Sequence, residues 1–366
     1  MIERWKIIQL ASRKMSEAGV LITLVRANGS SYRKPGARLL TIGSEYAGTI
    51  SGGCLEADVI KKAAWIVRSG AVLEHYSTWF DDIGEIPYGL GCGGSVDLLF
   101  EPTETAECAA FLQALRGAQS GKPAKVVTWL PSESRPIRRA VLSVEDEIHF
   151  QSEGLLATEI KAALSGEIGN IFVEHLAPPQ RLIILGAGDD ARPLVAMAAL
   201  LGWRTIVIDG RVQLARAERF PEAQQVLPIQ AGKLDEIGIE PEDAVVLMTH
   251  SYEQDREWLA AMLPAAPRYF GVLGARHRSS LLVSEASKMT GLSIAACCER
   301  IHAPVGLDLG GDGPEAIALA VIAEVQACSM GKLPTSRRLS ATDIALQIEY
   351  GNSSRYLQSH CALSEQ

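Results

Sequence analysis

Arg181-Leu-Ile-Ile-Leu-Gly186-Ala-Gly188-Asp-Asp-Ala191 decides how the second half of this chain is read. The continuous apolar run suits a strand buried on both faces of a parallel sheet. The residues after it fit G-x-G-x-x-A and open an apolar segment of helical length. In that setting Gly186 makes the turn, Gly188 leaves room for a pyrophosphate, and Ala191 lets helix and strand pack closely. Asp209 ends the next strand, Thr205-Ile-Val-Ile-Asp209, where an acidic residue holds a ribose hydroxyl of a dinucleotide. Asp189 and Asp190 put two negative charges beside the phosphate position. A Rossmann scaffold that binds no dinucleotide therefore stays open as an alternative.

Further strands are expected at 204–208, 225–229, 244–248 and 269–273, with helices at about 190–201, 212–219, 254–263, 277–289 and 314–329. This alternation predicts a doubly wound parallel sheet over residues 181–330. Pro178-Pro179 fits neither a helix interior nor a central strand, and it marks a linker. Before it, residues 1–177 mix elements irregularly, as in an α+β domain. Helices are expected there at about 3–18, 55–69, 104–116 and 154–166, and strands at 20–25, 38–42, 95–101, 124–130, 137–144 and 170–175. Residues 331–366 form a polar tail, and the chain as a whole is α/β.

Bulk properties narrow the function. The 366 residues carry 35 Lys and Arg against 43 Asp and Glu, a net charge of −8, with no basic tract. That excludes nucleic acid or an anionic membrane as the main partner. No apolar run reaches membrane-span length, and the charged start Met1-Ile-Glu-Arg-Trp-Lys6 does not resemble a signal peptide. Seven scattered cysteines make no disulfide framework, so a cytoplasmic protein with reduced thiols is expected.

Two glycine-rich turns carry cysteines, Ser51-Gly52-Gly53-Cys54-Leu55-Glu56 and Gly89-Leu-Gly-Cys92-Gly-Gly94. Cys54 falls at or near a helix start, where unpaired amides and the macrodipole favour a thiolate. It is the candidate soft ligand for a metal centre, with a small buried residue as the plainer reading. The segment Asn28-Gly-Ser-Ser-Tyr-Arg33-Lys34-Pro-Gly-Ala-Arg38 offers amides, hydroxyls and three cations to an oxyanion. In the second domain His250, Arg276 and His302, with His277 and Arg278 nearby, are expected at one rim beyond the strand ends. His250 or His302 could exchange protons or simply hydrogen-bond a ligand.

The runs Gly29-Ser-Ser-Tyr-Arg-Lys-Pro-Gly-Ala-Arg38, Ser51–Glu56, Gly89–Gly94, Gly186-Ala-Gly188, Thr249-His250, Gly271-Val-Leu-Gly-Ala-Arg276 and His302-Ala-Pro-Val-Gly-Leu-Asp308 resemble the motifs of the XdhC/CoxI family. These are accessory factors of xanthine dehydrogenase and related molybdenum hydroxylases. The resemblance implies an XdhC domain followed by a Rossmann domain, often in a homodimer. It also implies a non-catalytic chaperone that binds molybdenum cofactor (molybdopterin). Such a chaperone protects the cofactor while a cysteine desulfurase sulfurates it, then delivers it to the apo-hydroxylase. The cofactor-binding residues would be Ser51, Gly52, Gly53, Cys54, Glu56, Cys92, Arg33, Lys34 and Arg38, together with Gly186, Gly188, Asp209, His250, Arg276 and His302, with Cys54 touching the metal. The rival reading is an NAD(P)-dependent oxidoreductase using His250 or His302, and a third makes Cys54 a persulfide carrier.

Overall fold

The computed structural model describes residues 2–29, 31–53, 55–77, 94–166 and 169–333. The chain divides at Pro178 and Pro179 into two compact units.

In the N-terminal unit, α1 (Ile2–Arg13) leads to β1 (Gly19–Gly29), β2 (Arg38–Ile42) and β3 (Glu45–Thr49), then to α2 (Glu56–Ile66), β4 (Val72–Ser77) and β5 (Gly94–Pro102). These strands form one antiparallel sheet in the order β3-β2-β1-β5-β4. After α3 (Ala106–Gln119), strands β6 (Ala124–Trp129), β7 (Arg138–Leu142) and β8 (Ile148–Gln151), α4 (Ala157–Leu164) and β9 (Ile171–Leu176) supply a second sheet, ordered β8-β7-β6-β9. Alternation along β1 decides which layer covers which face. Leu21 joins Ile7, Leu40 and Phe111 under α1 and α3, while Ile22 and Leu24 join Leu39, Val59 and Phe100 under α2. Two ion pairs tie the sheets together. Arg139 of β7 meets Glu101 of β5 at 2.8 Å, both buried, and Arg38 of β2 meets Glu174 of β9.

The C-terminal unit is a parallel sheet of β10 (Arg181–Leu185), β11 (Arg204–Ile208), β12 (Gln225–Leu227), β13 (Ala244–Leu247) and β14 (Tyr269–Val272), ordered β12-β11-β10-β13-β14. The order reverses beside β10, as in a Rossmann fold. Leu182 and Ile184 pack with α5 (Ala191–Leu200) and α9 (Pro314–Ser329) on one face. On the other face, Ile183 and Leu185 pack with α6 (Tyr252–Ala265), α7 (Arg276–Thr290) and α8 (Ile294–Glu299).

Most predicted elements of this unit appear within two residues of their expected bounds. The helix expected at 212–219 does not form; only 217–219 makes a short 3-10 turn. Arg219 explains why: its guanidinium donates to Leu214 O and Ala187 O, pinning the segment as a turn against the glycine loop. No helix among the described residues is long and apolar enough to cross a membrane.

Candidate functional site

In the N-terminal unit, β3 runs into the Ser51-Gly-Gly turn and α2 begins at Glu56. Glu56 is only 7% exposed because its carboxylate is consumed by the turn. It accepts from the amides of Ile50 (3.1 Å) and Ser51 (2.9 Å) and from the Ser51 hydroxyl. Ser51 Oγ in turn accepts from the amides of Gly53 and Leu55, each at 3.2 Å. Burial on its own would raise the Glu56 carboxyl, but these donors outweigh it and hold the group below the usual glutamate range. Glu56 therefore positions the turn. Gly52 and Gly53 are exposed, and Cys54 and Cys92 lie outside the described residues.

The basic segment folds against this turn. The Tyr32 ring stands 3.6 Å from where a Cβ on Gly52 would be. Its three cations do not act alike. Arg38 is 8% exposed, bonded to Glu174 and Gly36 O, with its guanidinium 4.5 Å over the Phe111 ring. Arg33 is paired with Glu3, which also accepts from Thr49 Oγ1. Lys34 is exposed and, of the three, the one without a carboxylate partner among the described residues. The expected three-cation anion site thus reduces to Lys34, because two arginines are needed to hold α1 and β9 in place. A larger groove of ≈ 1030 Å³ along α1 and β3, lined by Trp5 and Tyr46, contains none of the predicted site residues.

In the C-terminal unit, the glycine turn has the expected backbone but unexpected contents. Gly186 has φ +129°, and a Cβ there would lie 2.3 Å from Met248 O, so the glycine lets β10 and β13 meet at their ends. At Gly188 a Cβ would lie 2.5 Å from Asp190 Oδ1. The space expected for a pyrophosphate is occupied by a carboxylate. Asp190 precedes α5 without capping it, and its Oδ2 meets His250 Nε2 at 2.7 Å. Asp189 pairs with Arg219 at 2.8 Å.

Asp209 is likewise committed. It is 1% exposed, accepts from Ala187 N (2.9 Å) and Arg211 N (2.9 Å), and is clamped by the Arg211 guanidinium at 2.8 and 2.7 Å. Arg211 also donates to Thr249 O at 3.0 Å. Burial would raise the Asp209 carboxyl, yet Arg211 and the two amides hold it below its usual range. No oxygen is left facing a ribose. The carboxylate expected to recognise a ligand instead ties the glycine turn to the ends of β11 and β13.

Beside Gly188 opens a cleft of ≈ 580 Å³ with an apolar floor of Met248, Leu273 and Ile317, and Asp190, His250, Gly274, Arg278 and Gly313 around it. Arg278 reaches buried Asp255 at 2.8 Å, and Asp255 Oδ1 also accepts from Thr249 Oγ1. Arg276 and His277 are exposed on α7 and do not line the cleft, so its arginine is Arg278.

His302 stands elsewhere. It forms a parallel bridge with Gly271, in the middle of β14, so it lies alongside the strand instead of beyond its end. Its ring stacks on Tyr269 at 4.5 Å and meets Glu324 at 3.2 Å, while Tyr269 Oη donates to Glu324 at 2.6 Å. Burial would raise the Glu324 carboxyl, but His302, Tyr269 and the Gly306 amide outweigh it and keep it low. The single rim of histidines and arginines expected from the sequence is therefore split, with His250 and Arg278 at the cleft and His302 in a part-exposed cluster with Tyr269 and Glu324. Among the described residues no group of three or more His, Cys, Asp or Glu could hold a metal ion.

A family model for the XdhC Rossmann domain matches residues 182–325, and one for the XdhC and CoxI family matches residues 12–77. The chain belongs to the XdhC and CoxI family. Similar proteins include a Bacillus subtilis protein described as a probable subunit of xanthine dehydrogenase, 29% identical over 84% of this chain and 92% of that one. The molybdenum cofactor insertion chaperone PaoD of Escherichia coli is 27% identical over 84% and 83%. A crystal structure of a protein described as a xanthine dehydrogenase from Bacillus halodurans superposes with a TM-score of 0.76 at 28% identity, covering 93% of this chain and 99% of that one. In this XdhC-family chain, sequence reasoning missed Asp190, Arg211 and Glu324 as organising residues. Arg211 lies two residues from Asp209 and was the most findable of them.

Proposed function

We propose that this chain is a molybdenum-cofactor-binding maturation factor for a xanthine dehydrogenase-type molybdenum hydroxylase. The similarity to a cofactor insertion chaperone and to a protein named for xanthine dehydrogenase supports this reading. The observation that carries it is the Glu56–Ser51 staple, which presents exposed Gly52, packed beside Tyr32, and exposed Gly53, followed in sequence by Cys54 just before α2; exposed Lys34 belongs to the same segment as Tyr32.

The chemistry suits holding and release. Lys34 offers a donor to the phosphate or oxo groups of a pterin cofactor, and a Cys54 thiolate offers a soft donor to its metal. Cys92 belongs to the same proposed site. The factor would hold the cofactor during sulfuration by a cysteine desulfurase and pass it to the apo-hydroxylase, working as a homodimer in the cytoplasm. Nothing in the geometry favours NAD(P) oxidoreduction, since Asp190 and Asp209 occupy the features a dinucleotide would use.

The test is activation of a purified apo-hydroxylase by cofactor-loaded protein, comparing wild type with Cys54→Ala. Activation by wild type and at least a tenfold loss in the variant are expected, about the worth of one lost metal or charged contact. Equal activation by the variant would remove Cys54 from the site, and no activation by wild type would remove the function.

A further inference from the structure

The proposed function leaves the C-terminal cleft unused, and its chemistry is specific. Its floor is apolar, its volume ≈ 580 Å³ suits one small molecule, and Gly188, Gly274 and Gly313 line it without side chains. Asp190 is its part-buried acid, with a side chain 16% exposed. It neither caps α5 nor reaches an arginine; its ion-pair partner is His250, an imidazole 60% exposed and held on a left-handed backbone at φ +61°. A carboxylate folded over Gly188 repels the phosphate that a Rossmann turn ordinarily receives. The same carboxylate attracts a pair of adjacent N–H donors.

We infer that this cleft binds a flat 2-amino-4-oxo heterocycle, a pterin or a guanine, through the Asp190 carboxylate. The ring N–H and the 2-amino group of such a heterocycle present two parallel donors that match two carboxylate oxygens. The ring faces would lie against Met248, Leu273 and Ile317, and the exposed His250 is the hydrogen-bond partner the ligand displaces. Arg278, already balanced by Asp255, also lines the cleft and offers a cation to an anionic substituent. The choice of a pterin as first probe rests on the proposed function, whereas the donor pattern rests on Asp190 alone.

The test is equilibrium dialysis of the full chain with neopterin and, separately, with GMP. Wild type is expected to bind one or both. Asp190→Asn, which replaces one acceptor by a donor, is expected to weaken binding about tenfold or more. Glu242→Gln, changing a side chain 67% exposed and outside the cleft, is expected to leave it within about twofold. His250→Ala should bind as well as wild type or better. The inference is overturned if folded wild type binds neither compound, if Asp190→Asn binds as wild type does, or if His250→Ala loses as much as Asp190→Asn. Wild type that retains cofactor but binds neither neopterin nor GMP would remove this cleft while leaving the proposed function standing. Asp190-dependent neopterin binding without cofactor retention would do the reverse.

Discussion

Glu56→Ala tests whether the cysteine turn is built by its glutamate. The carboxylate satisfies the amide of Ile50, a residue 2% exposed, and the amide and hydroxyl of Ser51. Removing it leaves the Ile50 amide buried without its acceptor, at about 1–3 kcal/mol, and loses charge-assisted bonds at half-buried Ser51 worth about 1 kcal/mol net. The expected total is about 2–4 kcal/mol, or a melting-point fall of about 5–12 °C for a unit of this size. The pH dependence has a definite sign. Glu56 titrates lower in the folded state than in the unfolded chain, so the unfolded state takes up its proton first on acidification. Its contribution is complete above the unfolded glutamate range and is lost as pH falls through the folded value. Scanning calorimetry of wild type and variant should therefore show a gap that is widest near neutrality and narrows in acid. A variant melting within about 1 °C of wild type, or a gap that widens in acid, would refute the staple.

Gly186→Ala should be far more damaging than Gly232→Ala. A Cβ at Gly186 meets Met248 O at 2.3 Å with φ +129°, whereas at Gly232 (φ +84°) nothing lies within 4 Å. Losses of more than about 3 kcal/mol against about 1 kcal/mol are expected in urea denaturation, and equal losses would contradict the close approach of β10 and β13. Arg139→Met leaves buried Glu101 without its partner and should cost about 3–5 kcal/mol. Replacing both residues by apolar ones of similar volume should recover most of that loss, and urea midpoints for the three variants would check it.

The Rossmann unit was legible because its strands are short apolar runs, and a strand buried on both faces announces itself by composition alone. Val245 and Val246 both pack inward, to opposite faces, and no alternation is needed to find them. β3 was not legible, since Glu45-Tyr-Ala-Gly-Thr49 has neither an apolar run nor clean alternation and exists by pairing with β2. The site was harder still. G-x-G-x-x-A predicts the backbone of a turn but not what fills it, and Gly188 makes room for Asp190 instead of a phosphate. Whether an aspartate is free or clamped depends on partners such as His250, sixty residues from Asp190, and that distance hides the pair from any local pattern. Glu56 shows the opposite lesson. Its place in the motif marked it as important, but its burial makes it a builder of the site and withholds it from the ligand.

Cofactor retention tests the proposed binding most directly. Wild-type protein mixed with molybdenum cofactor released from a hydroxylase, then passed through gel filtration, is assayed for pterin and molybdenum in the protein peak. Both are expected to co-elute at close to one per chain, with Cys54→Ala losing metal and pterin from the peak. A protein peak free of pterin under conditions where a known hydroxylase retains it would contradict cofactor binding by this chain.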